Sequence, residues 1–151
     1  MADKSIELSK LAVSSRLNNV GYRIFMFLCP VLFAITGLLY VAPRLHDVVA
    51  IVLWMISVGG CIIAGIFMSQ GGWRSILHNI GAYAMGIAML GLAVRLAIVS
   101  PGLNKALWAI SFIMVLLAFV GKVLQRKYYV IYEIGFIFLS HISMILVTVA
   151  L

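Results

Sequence analysis

Apolar residues in this chain come in long runs, and the polar residues collect in short stretches between them. The runs cover residues about 22–42, 48–68, 76–99, 106–124 and 129–151. Crossing a hydrocarbon core of about 30 Å takes roughly 20 apolar residues at 1.5 Å of rise each. The pattern therefore predicts an all-α, polytopic integral membrane protein of five transmembrane helices. The breaks fall at Pro43-Arg44-Leu45-His46-Asp47, at Ser69 to Ser75, at Ser100-Pro101-Gly102 and at Gln125-Arg126-Lys127-Tyr128. The Gly71-Gly72 pair is expected to end the second helix, and Pro30 to kink the first.

Residues 1–21 read differently. Ile6, Val13, Leu17 and Val20 recur at near-helical spacing among Lys4, Glu7, Lys10 and Arg16. This predicts a short amphipathic segment on the cytoplasmic headgroups. The chain thus divides into an interfacial segment, 1–21, and a five-helix bundle, 22–151.

Composition narrows the class further. Apolar residues make up 65% of the chain and charged residues 10%, against about 45–50% and 25% in soluble domains. A soluble globular domain is excluded, and so is a disulfide scaffold, with only Cys29 and Cys61 present.

The net charge is +7, from 11 Lys and Arg against 4 Asp and Glu. The basic residues flank apolar runs, so anionic lipid is the expected counter-charge and nucleic acid is not an expected partner. With the amino terminus inside, one side holds Lys4, Lys10, Arg16, Arg23, Arg74, Lys122, Arg126 and Lys127, and the other Arg44, Arg95 and Lys105. Eight against three follows the positive-inside rule. The expected orientation is a cytoplasmic amino terminus and an external carboxyl terminus, in a bacterial inner membrane. Tyr22, Trp73, Tyr128, Tyr129 and Tyr132 fit the inner aromatic belt, and Tyr40 and Trp108 the outer one.

Helices in lipid associate where small residues let backbones approach. Gly81, Ala84, Ala88 and Gly91 form one small stripe on the third span, with Ala82 and Gly86 on a second. Ser57, Cys61 and Gly65 recur at i+4 on the second span, beside Gly60 and Ala64. The third span is predicted to lie at the bundle centre, close against the second.

Four ionisable residues are the functional candidates. His141 falls near mid-bilayer on a stripe with Glu133 and Thr148, bordered by Ser140. Such residues suggest a proton relay or a polar ligand contact; the structural alternative is a neutral imidazole bonded to a hydroxyl such as Ser111. Glu133 lies one turn inside the inner interface, where Lys122, Arg126 or Arg74 would pair with it; burial would instead make it a proton acceptor. Arg95, one turn from the outer end of its span, is expected to snorkel and to meet Asp47, with anion selection in a pore as the alternative. His78 lies near the inner start of the third span. Its depth differs from that of His141 by roughly 13 Å, which argues against one haem shared between them. Cys29 and Cys61 have matched depths, and read as buried thiols or as a disulfide pair.

No GxSxG, HExxH, P-loop or GxGxxG motif is present, so no catalytic, cofactor-binding or metal-binding residues are predicted. The expected function is that of a non-enzymatic accessory, anchor or scaffold subunit, packed against other membrane subunits or copies of itself. The alternative is a small oligomeric channel or transporter using the Glu133 and His141 stripe. A quinone-, lipid- or haem-binding membrane subunit ranks third.

Overall fold

A computed structural model describes residues 16–67, 72–124 and 129–150. The interfacial reading of residues 1–15 and the basic turn at 125–128 lie outside them. The described residues are helical, with no strand among them. Three helices are long and apolar enough to cross a membrane, and two shorter apolar helices accompany them.

Helix α1 covers residues 16–45 as Arg16–Thr36, a π-helical turn Gly37–Val41 and Ala42–Leu45. It runs unbroken through Pro30, although proline offers the Met26 carbonyl no N–H. Two residues then reverse the chain. His46 takes a left-handed conformation, with φ +49°, which ends α1. Asp47 is extended and caps α2, Val48–Ile66, its carboxylate accepting from the Ala50 amide at 2.7 Å.

Helix α3, Gly72–Val99, begins ahead of the apolar run, at Gly72 with φ +60°. The glycine thus opens the third helix, and the second has already ended at Ile66. Helix α4 covers residues 104–124, as Asn104–Phe119 and a second π turn, Val120–Leu124; α5 is Tyr129–Ala150.

The bundle is organised around α3, which packs on α2, α4 and α5. Its tightest seam is with α2. A Cβ on Gly60 would stand 2.7 Å from the Gly81 carbonyl oxygen, and one on Gly81 would stand 2.7 Å from that of Gly60. The two backbones are therefore in contact, the close approach that small residues permit in lipid. Ser57 and Cys61 are buried on the same face of α2, and Ala88 on α3. Gly91 faces Leu53 of α2, whereas Gly65 turns to α1 and lies against Met26. Ala82 is half-buried beside the core and Ala84 half-buried. Around Gly86 the space is open.

Two apolar clusters stack along the bundle. The first gathers Met26, Cys61, Met85, Met89 and Met114 with Tyr22, Ala64 and Ala93. The second gathers Phe33, Trp54, Leu92, Leu96, Leu107 and Val147.

Candidate functional site

The four ionisable candidates sit at separate places. His78, at the start of α3, is buried. Its Nδ1 lies 2.9 Å from the Ala64 carbonyl oxygen. A carbonyl only accepts, so Nδ1 carries the proton and donates. Ala64 belongs to the last turn of α2, whose carbonyls have no partner within the helix. His78 is thus a cap supplied by a neighbouring helix.

Arg95 and Asp47 meet at the opposite end of the bundle. Nε donates to Oδ1 at 3.1 Å and to Oδ2 at 3.2 Å, and Nη2 donates to Oδ2 at 2.6 Å. This forked geometry is the strong form of a guanidinium–carboxylate pair. The Arg95 guanidinium, together with the Ala50 amide, holds the Asp47 carboxyl below the ordinary carboxylate range. Asp47 therefore caps α2 and ties its start to the end of α3 at once.

The residues of the α5 stripe address different neighbours. Glu133 is half-buried on α5. Ser140 donates to the Ile137 carbonyl and also reaches the Met89 sulfur of α3, at 3.3 Å. His141 turns to α1, its ring 5.1 Å from that of Phe33. Its Nδ1 donates to the Ile137 carbonyl at 2.8 Å. Ser111, expected opposite His141, donates instead to Leu107. The side chains of Thr148, Lys122 and Arg126 are outside the described residues.

Fixing the proton on Nδ1 leaves Nε2 of a neutral His141 with its lone pair. The ring lines a narrow cleft, with a cavity volume of about 10 Å³, between α1, α2, α3 and α5, with Cys29, Phe33, Cys61, Met85 and Met89 among the other walls. Both cysteines are free thiols. Among the described residues no group of three or more His, Cys, Asp or Glu side chains gathers as a metal-ligand set. Sulfur-bearing side chains dominate the cleft's heteroatom lining; the others are Ser57, whose hydroxyl donates to the Leu53 carbonyl, and His141.

Trp54 was not singled out by sequence. Its indole N–H donates to the Phe33 carbonyl at 3.1 Å, and its ring occupies the space that a Cβ on Gly37 would need. The available signal was position: Trp54 stands in the middle of a span, while tryptophan in membrane helices favours the interfaces.

The chain matches no protein-family model, no curated protein and no solved structure.

Proposed function

We propose that this chain is a non-enzymatic integral membrane protein acting as an accessory, anchor or scaffold subunit of a larger membrane complex or a homo-oligomer. In this reading it crosses a bacterial inner membrane five times. Helix α4 combines sixteen α-helical residues with a five-residue π turn, and α5 has 22 residues. At about 1.5 Å per residue each reaches the roughly 30 Å that a crossing requires.

One observation supports the subunit reading above others: four polar side chains bond one helix of the bundle to another. His78 bonds α3 to α2, Arg95 bonds α3 to the cap of α2, Trp54 bonds α2 to α1, and Ser140 bonds α5 to α3. Outward faces remain apolar, as at Ile87, Phe112 and Phe138, each more than 60% exposed. A rigid bundle with apolar outer faces suits a platform for lipid and neighbouring subunits.

The test is affinity purification of the full chain in mild detergent. Co-purification of other membrane proteins at fixed stoichiometry, or of a defined homo-oligomer, is the expected outcome. Recovery as a lone monomer across several mild detergents would overturn the proposal.

A further inference from the structure

We propose that the cleft between α1, α2, α3 and α5 binds a soft monovalent metal ion of the Cu(I) or Ag(I) class, held by sulfur. Five sulfur-bearing side chains line it: the thiols Cys29 and Cys61 and the thioethers Met26, Met85 and Met89. They arrive from three different helices, α1, α2 and α3. No carboxylate lines the cleft. Soft sulfur donors favour Cu(I), zinc and iron–sulfur centres, whereas carboxylate and water suit the hard cations. Zinc centres use thiolate, imidazole and carboxylate ligands in fours or threes, and no such set of three gathers among the described residues. A centre in this cleft depends on its thioethers, which zinc does not favour.

Charge points the same way. An ion in an apolar interior has to be neutralised where it binds. One thiolate cancels one monovalent cation, and thioethers add donors without adding charge. On binding, a single thiol transfers its proton to solvent as its sulfur bonds the ion, and no electron moves. Cys61 is placed to be that thiol. It is buried in the same cluster as Met26, Met85 and Met89, while Cys29 is half-buried. Methionines that merely fill an irregular core would look the same by packing, so the distinction is one of affinity.

The proposal is independent of the subunit reading, and its test has its own readout. The detergent-solubilised full chain is titrated anaerobically with Cu(I) held by bicinchoninate, whose colour reports the ion it retains. The native chain is expected to take one ion, with a sulfur-dominated shell in X-ray absorption. Cys61→Ala is expected to weaken binding by about tenfold or more, and Met55→Leu, on the exposed face of α2, to leave it unchanged. Circular dichroism checks the fold. Should Cys61→Ala not fold, the volume-conserving double variant Met85→Leu/Met89→Leu is expected to show the same loss. A native chain that yields all its Cu(I) to bicinchoninate would overturn the proposal. So would folded Cys61→Ala or methionine variants that bind as the native chain does.

Discussion

Asp47 carries two separable roles at the residue scale, and substitution can divide them. Asp47→Asn keeps an oxygen for the Ala50 amide but gives up the charge opposite Arg95. Asp47→Ala gives up both, and loss of the cap alone costs about 1 kcal/mol. The expected order of stability in thermal unfolding is native, then Asn, then Ala. Equal stability of the two variants would remove the cap from the account. The pair also predicts a pH dependence. Its carboxyl is lowered in the folded chain, first by the Arg95 hydrogen bond. The resulting stability is fully present above the unfolded value of about 3.9 and is lost as the pH falls through the folded value below it. Acid unfolding of Asp47→Asn should lack that component. Asp47 and Arg95 were already a plausible pair in the sequence, because their spans placed both near the outer surface. The fork geometry was not legible, since it depends on the register of α2 against α3.

Among the elements, glycine decides how the helices meet. Both π turns place a glycine against an aromatic side chain of the neighbouring helix: Gly37 against Trp54 and Gly121 against Tyr132. The seam of α2 and α3 is more restrictive, because the atoms facing Gly60 and Gly81 are backbone and cannot rotate away. Gly60→Ala and Gly81→Ala are each expected to destabilise the bundle by about 1–3 kcal/mol through overpacking. Gly86→Ala meets nothing within 4 Å and should be neutral, or stabilising by up to about 1 kcal/mol from helix propensity. Unfolding in detergent by titrated denaturant compares the three. A loss at Gly86 as large as at Gly81 would contradict this seam. All of these glycines belong to small-residue patterns or spans visible in the sequence. Which of them touches another backbone was not, because a helix with two small stripes offers two faces and the sequence does not rank them.

For the whole molecule, the proposed topology makes an odd number of crossings, with eight basic residues on the amino-terminal side and three on the other. Reporters fused at Met1 and after Leu151 should therefore mark opposite compartments; the same compartment for both would remove one span from the map. The sequence by itself determined that the chain is built from long apolar helices, three of them long and apolar enough to cross a membrane. Runs of apolar residues this long leave the backbone no partner but itself, so they must be helical in lipid. It also determined that α2 and α3 have faces able to approach closely. Only the tertiary structure decided the rest: that His78 serves as a cap for α2, that Trp54 fills the space beside Gly37, and that His141 turns to Phe33 while its neighbour Ser140 turns to Met89. The physical reason is that periodicity assigns a residue to a face of its own helix. The partner it finds there depends on the rotation and register of a second helix, which are set by close packing between chain segments far apart in sequence.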